Sequence, residues 1–192
     1  MKILILNASP RKNGLIAQLL NEIQENLPKE DVIENIYVNG LSIRPCIGCM
    51  KCRSTLACCL PEDDAQGVLQ KIKEADAIII GSPCYWGNMN GYMKVLFDRM
   101  VYGMMGESRR KTPIPLHKGK HAVIVSTCTT PFPFNILFNQ TRGVVRSLRE
   151  ILKWSGFKVV GTIEKGGTYN HHTLTNREKN RCKKLANKIS SK

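Results

Sequence analysis

Lys2-Ile3-Leu4-Ile5-Leu6-Asn7-Ala8-Ser9-Pro10-Arg11-Lys12-Asn13-Gly14-Leu15-Ile16 is the stretch that decides the fold. Its first six residues form an aliphatic, partly β-branched run bounded by Ser9 and Pro10, which suits a strand buried on both faces. Ala8 to Gly14 is rich in turn formers. Beyond it, Leu15, Ile16, Leu19, Leu20, Ile23 and Leu27 recur at helical spacing until Pro28 stops the helix.

The same alternation runs outward along the chain. Residues 32–38 read as a second strand, and a long connection then leads to Asp63 and Asp64, either of which can cap a helix containing Val68, Leu69 and Ile72. Residues 76–80 are a third strand, closed by Gly81-Ser82-Pro83. Met89, Met93, Leu96, Phe97 and Met100 mark the next helix. A fourth strand at 121–126, a long helix at 136–154, a fifth strand at 157–163 and a final helix at 174–189 complete the chain. Five such alternations demand a parallel sheet covered on both faces by crossovers of one hand, an α/β three-layer sandwich. The sizeable departures are a cysteine-rich connection at 44–62 and an excursion from Tyr102 to Lys118.

Length and composition fit one globular domain over 1–192, since 42% of its 192 residues are hydrophobic and supply an ordinary core. The N-terminal apolar run is too short for a signal h-region, and no stretch approaches the length of a membrane span, so the expected location is the cytoplasm. With 29 Lys plus Arg against 15 Asp plus Glu, the net charge of +14 favours phosphate-bearing partners. Nucleic acid is disfavoured among them. Arg177, Lys179, Arg181, Lys183, Lys184 and Lys188 read as one solvated helix face, and aromatics, 6% of residues, do not alternate with basic ones to make a stacking platform.

In an open α/β sheet, ligands sit beyond the carboxyl ends of the strands. The first such loop offers the Ser9 hydroxyl, the Arg11 guanidinium, the Asn13 amide and a Gly14 just before a helix N-terminus, whose free N–H groups favour an anion. It lacks both Gly-rich nucleotide signatures, so a monophosphate is the better match; read as structure only, these residues are turn chemistry. After the third strand, Pro83-Cys84-Tyr85-Trp86-Gly87-Asn88 combines two aromatics with a glycine and an amide, a mixture that suits a flat heteroaromatic ring. The competing reading packs those aromatics on the neighbouring helix. Thr127-Cys128-Thr129-Thr130 after the fourth strand is a weaker signal of the same kind.

Cys46, Cys49, Cys52 and Cys58 follow one another with gaps of two, two and five residues, and Cys59 comes next. In a reducing compartment such a run reads as a metal or iron–sulfur site rather than a disulfide framework. Four converging thiolates suit a [4Fe–4S] cluster, with Cys59, two residues before Pro61, as the alternative fourth ligand. They also suit tetrahedral zinc, and unliganded thiols are the third reading. Cys84, Cys128 and Cys182 read as small buried residues. His171-His172, after the fifth strand, reads as a plain turn with a metal pair as the lesser alternative, and His117 and His121 as structural.

Taken together, the loop from Ser9 to Gly14, the run Gly81-Ser-Pro83-Cys-Tyr-Trp86-Gly87-Asn88-Met-Asn-Gly91-Tyr-Met-Lys94 with Phe97-Asp98-Arg99, and the cysteines resemble the NADPH-dependent FMN reductase family, in its iron-sulfur flavoprotein branch. The resemblance implies a flavodoxin-like fold with a five-stranded parallel sheet in the order 2-1-3-4-5. It assigns the FMN phosphate to Ser9, Arg11, Asn13 and Gly14 with the backbone of Leu15 and Ile16, and the ribityl chain and ring to Pro83, Tyr85, Trp86, Gly87 and Asn88, with Cys84 in the same loop. The family usually continues with Gly-Asn-Thr or Gly-Asn-Ser where this chain has Gly14-Leu15-Ile16. The missing hydroxyl removes one hydrogen bond, worth about 1 kcal/mol. The implied function is an FMN-binding oxidoreductase that moves electrons from NAD(P)H or a ferredoxin to another acceptor, with a [4Fe–4S] cluster on Cys46, Cys49, Cys52 and Cys58 and a homodimeric or homotetrameric assembly. The flavin carries the chemistry, so no acid–base residue is named. The alternative is an electron-transfer flavoprotein without NAD(P)H activity of its own.

Overall fold

The computed structural model describes residues 1–191. In chain order its elements are β1 (Lys2–Asn7), α1 (Leu15–Glu25), β2 (Val32–Tyr37), a 3-10 turn (Val38–Gly40), α2 (Cys52–Thr55), α3 (Asp64–Glu74), β3 (Ala77–Pro83), α4 (Gly91–Met104), β4 (Met105–Glu107), β5 (Pro113–Pro115), β6 (His121–Thr127), α5 (Phe134–Leu137), α6 (Thr141–Ser155), β7 (Lys158–Lys165) and α7 (Asn176–Ser190). Five strands form one sheet in the order β2-β1-β3-β6-β7, with every neighbouring pair parallel. Counted along the sheet strands alone, this is the expected 2-1-3-4-5 order. β4 and β5 form a separate antiparallel pair inside the excursion that the sequence left without structure.

Alternation within the strands divides the core. Ile3, Ile5, Ile79, Val123 and Val125 face α1 and α7, where they meet Leu19, Ile23, Leu185 and Ile189. Leu4, Leu6, Ile78, Ile80 and Ile124 face the other way, against Leu69 and Ile72 of α3, Met93 and Leu96 of α4, and Leu148 and Leu152 of α6. The central strands therefore carry unbroken aliphatic runs, Ile3 to Leu6, Ala77 to Ile80 and Ala122 to Val125, as parallel strands covered on both faces must. Truncating one such residue, Ile79→Ala for example, costs about 2–5 kcal/mol. The six basic residues of α7 lie on its exposed side, opposite buried Cys182, Leu185, Ala186 and Ile189.

Several boundaries differ from the sequence reading, each for a local reason. Asp63, not Asp64, caps α3: its carboxylate accepts the Ala65 N–H at 3.0 Å, while Gln66 Oε1 accepts the Asp63 N–H at 3.0 Å. α4 begins at Gly91 rather than Met89, because the Asn90 side chain accepts the Met93 N–H at 3.1 Å and fixes the N-cap there. The long helix expected over 136–154 is two helices, broken where Asn139 takes φ +57, a conformation Asn tolerates better than most residues. The third strand continues past Ile80 to Pro83, since its partner β6 pairs with it as far as Thr127. α7 begins after a capping box of Thr175 and Glu178. Among the described residues no helix is long and apolar enough to cross a membrane.

Candidate functional site

The loops after β1, β3, β6 and β7 meet at one end of the sheet and enclose a cavity of about 530 Å³, a size typical of small-molecule sites. Ser9, Arg11, Asn13, Gly14, Leu15, Ile16, Pro83, Cys84 and Tyr85 all line it. Trp86, Gly87 and Asn88 do not. The Tyr85 N–H donates to Asn88 O at 2.9 Å and the Asn88 N–H to Tyr85 O at 3.0 Å, which closes a two-residue turn with Trp86 at φ +53 and Gly87 at φ +72. That turn sends the Trp86 side chain into solvent, where it is fully exposed. Asn88 turns its amide oxygen to its own chain, accepting the Met89 N–H at 2.8 Å.

The first loop is built around Ser9, which is buried. Its hydroxyl accepts the Arg11 N–H and donates to Arg11 O, both at 3.2 Å, so this group holds the turn's shape. A side chain at position 14 would bring its Cβ within 2.9 Å of Arg11 Cβ and 3.2 Å of Arg11 O, and only glycine lets the loop close so tightly. With no side chain at Gly14 to cap α1, the first-turn N–H groups of Leu15 and Ile16 are left for an anion. Arg11 and Asn13 are exposed at its edge. This cradle fits a phosphate.

Thr127, Cys128, Thr129, Thr168 and His172 also line the cavity. The first three lie in the Thr-rich stretch that is a weak signal in the sequence, whereas Thr168 carries none and His172 reads there as part of a turn. Burial pushes the Cys84 and Cys128 thiols above the ordinary range, so both stay neutral at physiological pH and neither is a ready nucleophile.

Cys46, Cys49, Cys52, Cys58 and Cys59 surround a second, smaller concavity of about 140 Å³, together with Arg99 and Tyr102. All five are free thiols. Cys49 Sγ lies 3.1 Å from Cys59 Sγ; the hydrogen bond from Cys59 lowers the Cys49 thiol, and the same contact raises that of Cys59. Burial, reinforced by Cys46, Cys49 and Cys58, raises that of Cys52. The fold thus gathers the predicted ligands at one place, although no three Cys, His, Asp or Glu side chains among the described residues are disposed to hold a metal ion. The donor set is all sulfur, which matches iron–sulfur or zinc chemistry.

Buried Arg99 anchors this segment at both ends. Nη1 donates to Arg44 O at 2.7 Å and to Asp63 Oδ2 at 2.8 Å, and Nη2 reaches Pro61 O at 3.5 Å. Asp63 is partly buried, which would raise its carboxyl. Hydrogen bonds from the N–H groups of Arg44 and Ala65, with the Arg99 charge, outweigh that and hold it below the usual carboxylate range.

Residues 1–166 match the sequence profile of the NADPH-dependent FMN reductase family. This chain belongs to that family. An iron-sulfur flavoprotein of Archaeoglobus fulgidus is 38% identical over 115 residues, which is 59% of this chain and 56% of that protein. The chain thus spans little more than half the length of that relative. Among solved structures, Smu.1420 from Streptococcus mutans superposes with a TM-score of 0.75 at 23% identity, covering 100% of both chains. An FMN-dependent NADH-azoreductase from Bacillus anthracis, solved in complex with FMN, superposes with a TM-score of 0.72 at 14% identity over 99% of both. These two likenesses show the shared flavodoxin-like fold.

In this member of the FMN reductase family, the cavity adjoins a further apolar groove of about 560 Å³. Pro10 and Tyr85 line both, and the groove continues over Leu41, Ile43 and Pro45 toward the cysteines. Tyr85 is about half exposed (48%), so the wall it forms is open on one side.

Proposed function

We propose that the chain is an FMN-dependent oxidoreductase that takes electrons from NAD(P)H and delivers them to another acceptor, with a [4Fe–4S] cluster on its cysteine segment. The observation that carries this reading is the cavity itself, whose lining brings the uncapped N-terminus of α1, Arg11 and Asn13 together with Pro83-Cys84-Tyr85. Bound FMN would supply the electron chemistry, hydride acceptance and electron release. The residues bind and orient. Arg11, Asn13 and the N–H groups of Leu15 and Ile16 hold the phosphate, and Gly14 lets the backbone approach it. Pro83, Cys84 and Tyr85 flank the ring, where the neutral thiols of Cys84 and Cys128 present apolar surface. The open side at Tyr85 admits a donor.

Cys46, Cys49 and Cys52, with Cys58 or Cys59, would hold the cluster, which would pass electrons one at a time. The five thiols in the lining and the name of the Archaeoglobus relative support this part. Zinc is the competing occupant. Exposed Tyr85, Trp86 and Tyr92 beside the cavity mouth support assembly as a homodimer or homotetramer. The eight free cysteines suit a reducing compartment such as the cytoplasm.

The second reading, an electron-transfer flavoprotein that draws on a ferredoxin and has no NAD(P)H activity, rests on the same cysteine segment. Anaerobic stopped-flow bleaching of the bound flavin separates the two. Rapid bleaching by NADPH or NADH is expected, whereas bleaching by reduced ferredoxin alone would refute the reductase. Iron and acid-labile sulfide analysis of anaerobically purified protein tests the cluster, and iron without sulfide, or zinc, would refute it.

A further inference from the structure

The loop between β7 and α7 is pinned at both ends against the flavin cavity. At its start, the Cys128 N–H donates to Lys165 O at 2.9 Å, the Gly167 N–H to Thr130 O at 2.9 Å, and the Thr168 N–H to Cys128 O at 3.1 Å. At its far end the Gln18 side-chain amide donates to His172 O at 2.8 Å and to Asn13 O at 3.1 Å. One amide nitrogen on α1 therefore ties the loop after β7 to the loop after β1. As a result Thr168 and His172 line the same cavity as Arg11 and Asn13.

The first loop offers an anion no free side-chain hydroxyl. The Ser9 hydroxyl is consumed by Arg11's backbone, and Gly14, Leu15 and Ile16 bring no hydroxyl to the start of α1. Its remaining donors are the Arg11 guanidinium, the Asn13 amide and the backbone N–H groups of Leu15 and Ile16. The side chains that the β7–α7 loop adds are a hydroxyl and an imidazole, both able to donate to phosphate oxygen. No Asp or Glu lines the cavity to compete with an anion.

We infer that the β7–α7 loop forms the second half of the phosphate site, with His172 and Thr168 donating to the phosphate of the flavin and Gln18 acting as the positioning residue that holds the loop in place. This rests on the flavin reading above. It makes the site selective for a phosphorylated flavin over riboflavin, and it gives His172 a role that its place in an exposed loop conceals.

The test is a titration of the flavin-free full-length chain with FMN and with riboflavin, followed by quenching of flavin fluorescence. His172→Ala is expected to weaken FMN binding about ten-fold, the loss of one hydrogen bond to a charged group, while riboflavin binding stays within about two-fold. Gln18→Leu should show the same selective loss through release of the loop. Arg11→Ala, a contact in the first half of the site, is the reference. If Arg11→Ala weakens FMN selectively while His172→Ala changes neither flavin or weakens both alike, the inference falls and the flavin reading stands. If neither variant changes the ratio of FMN to riboflavin affinity, no phosphate sits at the mouth of α1, and both fall.

Discussion

Replacing Arg99 by Met should detach the cysteine segment and lower the stability of the whole chain. The side chain is wholly buried, and its guanidinium joins Arg44 O, Asp63 Oδ2 and Pro61 O, so one residue of α4 fastens both ends of the segment. Removing one partner of a buried ion pair costs about 3–5 kcal/mol. The lower figure applies, because Asp63 is 10% exposed and keeps the Arg44 N–H at 3.1 Å and the Ala65 N–H at 3.0 Å. For a chain of this size about 3 kcal/mol lowers the melting temperature by about 6–12 °C. Circular dichroism melts of the reduced, metal-free protein measure that. The rate at which a thiol reagent labels Cys46 to Cys59 reports the local release, and both should change together. Arg99→Lys keeps the charge but not the fork and should fall between the two. A melting temperature within about 2 °C of wild type, with unchanged labelling, would show that the segment is held by something other than Arg99.

Four further outcomes are expected. Gly143→Ala would drive a Cβ to 1.9 Å from Gly87 O, displacing the Tyr85–Asn88 turn and weakening flavin binding, whereas Gly67→Ala meets nothing within 4 Å on an exposed turn of α3 and should stabilise the chain. The gain there is about 0.5–1 kcal/mol, readable as a higher denaturant midpoint. Asp63 and Glu178 both titrate below the usual carboxylate range when folded, the latter because the Lys165 ammonium and Thr175 outweigh its burial. Their contribution is therefore full at neutral pH and is lost as the pH falls through their folded values, and Asp63→Asn should flatten the acid limb of a stability–pH curve. Cys52→Ser should strip iron and sulfide from the purified protein and leave FMN content unchanged, since the two concavities share no lining residue.

What the sequence made legible was set by periodicity and by local chemistry. The aliphatic runs at Ile3 to Leu6 and Ile78 to Ile80 could only be strands buried on both faces, and the helical stripes between them forced the parallel order. Which face each residue took was not legible, because both faces are apolar. The break at Asn139 was hidden for a related reason: Ile136, Leu137 and Phe138 prolong the apolar pattern of α6, while the interruption lies in one backbone angle. The β4–β5 pair, Met105-Gly-Glu107 with Pro113-Ile-Pro115, carries no alternation long enough to register. Residue type picked out Ser9, Arg11, Asn13 to Ile16 and Pro83 to Tyr85, all of which line the cavity. Trp86 was placed in the ring pocket because it is aromatic, yet the hand of a two-residue turn sends it to solvent. His172 reaches the cavity through a bond to Gln18 from 154 positions away, a distance at which no local pattern can speak.

The anchor at Arg99 also bears on how the two sites communicate. It fixes the carbonyl of Arg44, and the next residue, Pro45, forms a wall of the apolar groove that shares Pro10 and Tyr85 with the flavin cavity. Cys46 follows at once. The position of the first thiol and the shape of the groove beside Tyr85 are thus set by the same few backbone atoms, from Ile43 to Cys46, and they cannot shift independently. Releasing Arg99 frees that stretch, so its effect should reach the open side of the flavin cavity although no side chain of Arg99 touches it. Coupling of this kind travels through backbone continuity and packed apolar contacts. It predicts that Arg99→Met slows flavin reduction by a nucleotide donor while leaving FMN affinity, which the proposed phosphate contacts at Arg11 and the N-terminus of α1 would govern, close to wild type.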